Sequence, residues 1–153
     1  MKVTALPFDE LPPHDAYAAW RLRQDVFILE QQCLYLDLDE RDTEPGTRHV
    51  LLHGPAGGAG TALLGYARIL DDADAWRIGR VVLDRAARGQ GLADLVMHRA
   101  LAECAALGPD RDIVMSAQSP LVGWYATFGF GVDGEEFLED DIPHTPMRLR
   151  PDR

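Results

Sequence analysis

The sequence predicts one α/β domain with a mixed central β-sheet and helices on both faces. Three observations carry this reading. Apolar patterning alternates between strand-like and helix-like periods in the order βα, ββ, βα, βα, ββ. A β-branched run, Ile78-Gly79-Arg80-Val81-Val82-Leu83, stops at Asp84 and leads through a turn bearing Gly89 and Gly91 into an amphipathic helix. No Ser/Pro-rich linker or charge block divides the 153 residues, so residues 1–153 read as one domain around one core.

Residues 2–6 form a short strand. Residues 15–30 read as a helix, because Ala19, Leu22, Val26 and Leu29 share one face and Asp15 is a candidate N-cap. A long acidic loop covers residues 31–47. Residues 49–53 and 62–70 are strands joined by the glycine-rich stretch 54–60, a hairpin connection. Residues 76–83 form the strand before the glycine turn. The helix after it, residues 93–107, places Leu92, Val96, Ala100, Cys104 and Leu107 on one stripe and ends at Gly108-Pro109. Residues 113–117 are a further strand. Ser119 and Pro120 have the N-cap and N1 chemistry for a helix from Leu121 that ends before Gly129. Residues 131–137 and 147–149 form a last strand pair.

The turn over residues 88–93 has the chemistry of an anion cradle. Gly89 and Gly91 lack a Cβ, so the backbone can approach a bound group and aim successive N–H groups at one point, which the helix N-terminus makes electropositive. Arg85 and Arg88 flank it with guanidinium groups suited to phosphate oxygens. A dinucleotide fingerprint would need a third glycine and a place after the first strand of a βαβ unit. A P-loop would need Gly-Lys-Ser/Thr after the glycines, which is absent.

A formal net charge of −10 argues against a nucleic-acid partner, whose binding is led by phosphate neutralisation. The acids gather in two clusters, Asp37, Asp39, Glu40, Asp42 and Glu44, and Asp133, Glu135, Glu136, Glu139, Asp140 and Asp141. Solvated loops account for most of them; the sharper reading is a funnel for a cationic substrate, with the arginines reserved for an anionic cosubstrate. The N-terminus lacks an apolar h-region and no apolar stretch approaches membrane-spanning length, so a soluble, cytoplasmic protein without a membrane partner is expected. Cys33 falls in the loop and Cys104 on the core stripe; no Cys/His cluster has metal spacing, so no metal is expected.

Arg88-x-x-Gly91-x-Ala93 after a central strand, followed by Tyr125-Ala126-Thr127-Phe128-Gly129-Phe130, resembles the GNAT superfamily of acyl-CoA-dependent N-acyltransferases. Four segments resemble its ElaA branch: Leu22-Arg23 through Val26-Phe27-Ile28-Leu29-Glu30-Gln31, then Ile78-Gly79-Arg80-Val81, then the cradle, and last Asp141-Ile142-Pro143-His144 with Met147. The likeness runs from about residue 17 to the C-terminus. Pro120 stands where the branch often has histidine, and Ala93 where glycine is commoner.

The resemblance implies acetyl-CoA as cosubstrate. The amides of Arg88, Gly89, Gln90, Gly91, Leu92 and Ala93, with Arg85 beside them, would bind the CoA pyrophosphate. Backbone groups of Val81, Val82 and Leu83 would hold the pantetheine arm, and the Val81 N–H would stabilise charge developing on the thioester oxygen. Tyr125 takes the position of the tyrosine that protonates the departing thiolate in such proteins. Transfer to a primary amine is expected to be direct, since neither cysteine sits in a Cys/His arrangement. A lysine-like amine has a pKa near 10.4, so neutralising it at pH 7 costs on the order of 4–5 kcal/mol. The site must therefore desolvate the amine and pass its proton to a base. Glu30 is the first candidate base; its structural alternative is a polar network with Arg23, two helical turns earlier. His49, His144, Asp39 and Asp42 are further candidates on the acceptor side. Two other readings stand beside the enzyme: a CoA-binding regulatory protein without turnover, and an acyl-homoserine-lactone-synthase-like enzyme, a group similar at Arg23 and Val26-Phe27.

Overall fold

The computed structural model describes residues 1–55 and 62–151. In chain order the principal elements are β1 Lys2–Leu6, α1 Pro13–Arg23, a π-helical segment Gln24–Glu30, β2 Arg48–His53, β3 Leu63–Asp71, β4 Ala75–Leu83, α2 Leu92–Leu107, β5 Asp112–Gln118, α3 Val122–Ala126, β6 Gly131–Val132, β7 Phe137–Glu139 and β8 Ile142–Leu149. The strands form one mixed sheet in the order β1-β2-β3-β4-β5-β8-β6, with β7 also paired to β8. Among the described residues only β4 and β5 run parallel, and α2 supplies the long crossover that a parallel pair requires.

Alternation along β2 sorts two cores. Val50 and Leu52 pack with Val96, Met97 and Ala100 of α2, while Leu51 between them packs with Ala19 and Leu22 of α1. Successive side chains of a strand point to opposite faces, so the two helices cover opposite sides of the sheet. That is the expected fold class.

Several local expectations are corrected. The first helix begins at Pro13, where a missing N–H costs nothing, and not at Asp15. The Asp15 carboxylate meets His53 Nε2 at 3.0 Å and caps no helix. The helix changes to π geometry at Gln24, and the wider turn carries Leu29 off the apolar face into solvent. Leu107 is likewise exposed at the end of α2, whereas Cys104 is buried and its thiol is pushed up to about 12 by desolvation. Ser119 does not cap α3: its hydroxyl bonds Thr145 Oγ1 at 2.8 Å, and a 3-10 turn over Ser119–Leu121 precedes the α-helix at Val122. The last pairing is more broken than expected, with β6 and β7 separate and β8 starting at Ile142. Most of the glycine-rich connection, residues 56–60, lies outside the described residues.

Candidate active site

β4 and β5 are paired only from Ala75 to Arg77 against Asp112 to Val114, and then part. Beyond Arg77 the edge of β4 facing β5 has no strand partner, which leaves a template for an extended ligand. A bulge adds to the opening. Tyr66 pairs with Val82 and Arg68 with Gly79, so β4 uses three steps where β3 uses two. Arg80 takes a left-handed conformation there, with φ of 52°. In a regular strand Ile78 and Val82 would share a face; here Ile78 joins the core under α2 and Val82 the core under α1. The resulting cleft, about 1010 Å³, is lined by Val81, Val82 and Leu83 from β4 and Met115, Ser116 and Gln118 from β5.

At one end lies the cradle. Asp84 Oδ1 accepts from the Ala86 amide at 2.9 Å and fixes a 3-10 turn over Arg85–Ala87. Gly89 and Gly91 then adopt φ of 78° and 74°, and α2 starts at Leu92. Among the described residues, the amides of Gly89, Gln90, Gly91, Leu92 and Ala93 have no protein acceptor. A Cβ built on either glycine would meet no heavy atom within 4 Å. The glycines are therefore not demanded by packing against protein; they permit the backbone turn and leave the space before the amides open. Leu83 O is engaged by Arg88, from Nε at 3.4 Å and Nη2 at 3.3 Å, so of the expected pantetheine-binding groups this carbonyl has a protein partner.

Glu30 closes over the same arginines. Its Oε2 accepts from Arg88 Nη1 at 2.8 Å, and its Oε1 from Arg88 Nη2 and Arg85 Nη2, both at 3.1 Å. The Arg88 hydrogen bonds, reinforced by Arg85, lower the Glu30 pKa, the opposite of what a base for an ammonium needs. Glu30 also forms no network with Arg23, which turns into the protein interior.

Tyr125 lines the cleft beside Leu121 and Trp124. Its ring lies 4.7 Å from that of Trp124 and 6.4 Å from that of Phe130, centroid to centroid. Among the described residues its hydroxyl has no hydrogen-bond partner, and burial pushes it up to about 12. α3 stops at Ala126, and Gly129, at φ of 102°, turns the chain back toward β6.

The acceptor end holds a buried ionic network that the sequence analysis did not foresee. Arg23 donates from Nε to Asp37 at 2.9 Å and from Nη1 to Asp42 at 2.7 Å. Arg68 donates to both oxygens of Asp39 at 2.8 and 2.9 Å and to Asp42 at 3.1 Å, and Arg80 reaches Asp37 at 2.8 Å. Burial alone would raise Asp39, but the Arg68 hydrogen bonds and charge hold it at about 2, helped by the Arg41 amide and Arg80. The first acid cluster is thus largely neutralised from within and is no open funnel. Asp42 is buried and His49 wholly so, with Nδ1 2.7 Å from Tyr66 Oη and Nε2 2.9 Å from Asp42 O; neither lines the cleft. Arg68 Nε is, among the described residues, the buried side-chain polar atom without a partner. The arginines come from α1, β3 and β4; the acid cluster and the placing of Arg23 in a polar network were the sequence signals, with Asp37 and Asp42 rather than Glu30 as its partners.

Asp39 and His144 do line the cleft, with Glu139 and Asp140 from the second cluster. His144 Nδ1 lies 2.8 Å from Ile142 O. A carbonyl only accepts, so Nδ1 carries the proton and the neutral ring keeps its lone pair on Nε2. That nitrogen lies 3.7 Å from Glu139 Oε2, and the ring stacks on Phe137. Cys33 also borders the cleft, but desolvation and the nearby Asp140 and Asp141 push its thiol up, away from the thiolate a nucleophile requires. No cluster of three or more His, Cys, Asp or Glu side chains suits a metal among the described residues. No described helix is long and apolar enough to cross a membrane.

Comparison with known proteins identifies the family and the fold. Residues 47–151 match the family profile described as an acetyltransferase (GNAT) domain. A UPF0039 protein of Mycobacterium tuberculosis is 40% identical over 142 residues, covering 93% of this chain and 88% of that protein. ElaA of Escherichia coli is 37% identical over 145 residues, covering 93% and 92%. Its crystal structure superposes with a TM-score of 0.89 at 35% identity, covering 98% of this chain and all of the other. An acyl-CoA N-acyltransferase from Pseudomonas aeruginosa superposes with a TM-score of 0.88 at 36% identity, covering 97% and 99%. With a parted β4–β5 pair and a glycine cradle shared between strand and helix, the chain belongs to the GNAT acetyltransferase family, in its ElaA-like branch.

Proposed function

We propose that this protein transfers an acetyl group from acetyl-CoA to a primary amine by direct attack. The observation that carries the reading is the run of unpaired amides from Gly89 to Ala93, set at one end of the cleft that opens where β4 and β5 part after Arg77. The amides and Arg88 would receive the pyrophosphate, with Arg85 at the outer edge. The free edge of β4 at Val81 and Val82 would pair with the amide-bearing pantetheine arm, and the Val81 N–H would face the thioester oxygen.

On the acceptor side, His144 Nε2, with Glu139 Oε2 at 3.7 Å, takes the proton that the ammonium must lose before it can attack. The amine nitrogen then bonds to the acetyl carbon as the carbon–sulfur bond breaks. Tyr125 donates a hydrogen bond to the leaving sulfur. The second amine proton passes to the thiolate as the amide forms and the first is released from His144, so the balance is ammonium plus thioester giving amide, thiol and one proton. Glu139 and Asp140 at the rim favour a cationic acceptor.

The test pairs binding with turnover. Calorimetry with CoA on the parent and on Gly91→Val should show at least a tenfold loss of affinity, since a side chain would fill space that is open in the protein. Thiol release from acetyl-CoA over a panel of polyamine, aminoglycoside and peptide amines should reveal turnover. Equal affinity in parent and variant would remove the cradle assignment; binding without turnover on any amine would favour the non-catalytic CoA-binding reading.

A further inference from the structure

We propose that Glu30 is a stand-in for phosphate: in the ligand-free protein its carboxylate occupies Arg85 and Arg88, and CoA enters by exchanging one anion for another. The inference rests on the CoA reading of the cradle. A carboxylate and a phosphate edge both present two oxygens to a guanidinium fork, and the Glu30–Arg88 contact has that bidentate form, 2.8 and 3.1 Å. Glu30 lies 58 positions from Arg88 and 55 from Arg85 in the chain, so the contact is built by the fold and is not a by-product of local sequence. The neighbouring acids are otherwise engaged. Asp84 accepts from the Ala86 amide, and Asp94 accepts from Trp124 Nε1 at 2.9 Å.

The cradle therefore keeps its amides open while its two guanidinium groups are closed by a negative side chain. Arg88 has a second anchor, Leu83 O, so its guanidinium stays at the cradle when Glu30 leaves. A ligand must bring enough negative charge to outcompete a tethered carboxylate. Glu30 thus sets a threshold that a pyrophosphate clears and that a neutral thioester, or a monoanion bound only at the cradle, does not. The side chain lowers affinity for CoA and raises the selectivity for its polyanionic part.

The experiment is a double-mutant cycle on CoA affinity, measured by calorimetry at fixed pH and ionic strength. Glu30→Gln keeps size and removes the charge, and CoA should bind about three- to tenfold more tightly. In an Arg88→Ala background the same substitution should change affinity less than about twofold, because the bidentate partner is gone and only the solvent-exposed Arg85 contact remains. The melting temperature of ligand-free Glu30→Gln should stay within about 2 °C of the parent. Unchanged or weaker CoA binding by Glu30→Gln would overturn the inference, since Glu30 would then be a bystander or would hold Arg88 in place for the ligand. An equal gain in both backgrounds would also overturn it, reducing the effect to long-range repulsion. CoA binding by neither protein would remove the CoA reading itself, a result distinct from equal binding by both.

Discussion

Tyr125→Phe deletes one oxygen and leaves the ring between Trp124 and Phe130. The deleted hydroxyl has no hydrogen-bond partner among the described residues, so the substitution strands no donor or acceptor and stability should change by less than about 0.5 kcal/mol. The effect on rate follows from the acidity of the phenol. Burial holds it at about 12, above an ordinary thiol near 8.5, so complete proton transfer to the sulfur is uphill unless the same dry cleft raises the thiol as well. The hydroxyl then stabilises the leaving sulfur mainly as a hydrogen-bond donor, at the lower end of general-acid effects. We expect kcat to fall about 100-fold, about 2.7 kcal/mol of transition-state stabilisation, with the CoA dissociation constant within about twofold. Thiol release at saturating acetyl-CoA, with the best amine from the panel, measures the first; calorimetry measures the second. A phenol titrating near 12 stays protonated through the working range, so the variant should keep the shape of the parent pH profile below about pH 10. A kcat within about twofold of the parent, with chemistry rate-limiting, would refute the role. A parallel fall in CoA affinity or melting temperature would make the hydroxyl part of the structure.

His144→Gln should lower kcat at least about tenfold while CoA affinity stays constant; an unchanged kcat with chemistry rate-limiting would assign the base elsewhere. Asp42→Asn leaves buried Arg23 and Arg68 short of a counter-charge and should destabilise the fold by about 3–5 kcal/mol, read from the urea midpoint. Asp39 is held at about 2, below its unfolded value near 3.9, so its contribution is complete above about pH 4 and is lost as pH falls through about 2. The drop in urea midpoint between pH 5 and pH 2.5 should accordingly be smaller in Asp39→Asn than in the parent.

The sequence by itself determined the local grammar of the protein. The short apolar run within residues 49–53 marked a strand, and Gly89 and Gly91 before an apolar stripe marked the turn into α2. Both depend on a few adjacent residues and on backbone freedom, which a string of letters records directly. The acceptor side was decided by tertiary structure. Asp37, Asp39 and Asp42 could be seen as acids, but their charge is spent on Arg23, Arg68 and Arg80, which arrive from α1, β3 and β4. Glu30 read as a candidate base or a partner of Arg23 until the fold brought Arg85 and Arg88 to it, and His49 read as an acceptor-side candidate until Tyr66 and the Asp42 carbonyl enclosed it. The bulge at Arg80 exchanges the faces of β4; Gly79 beside it is compatible with a bulge, but only the pairing register with β3 decides that the faces change there. Charge and accessibility depend on who the neighbours are in space, and long-range pairing alone decides that.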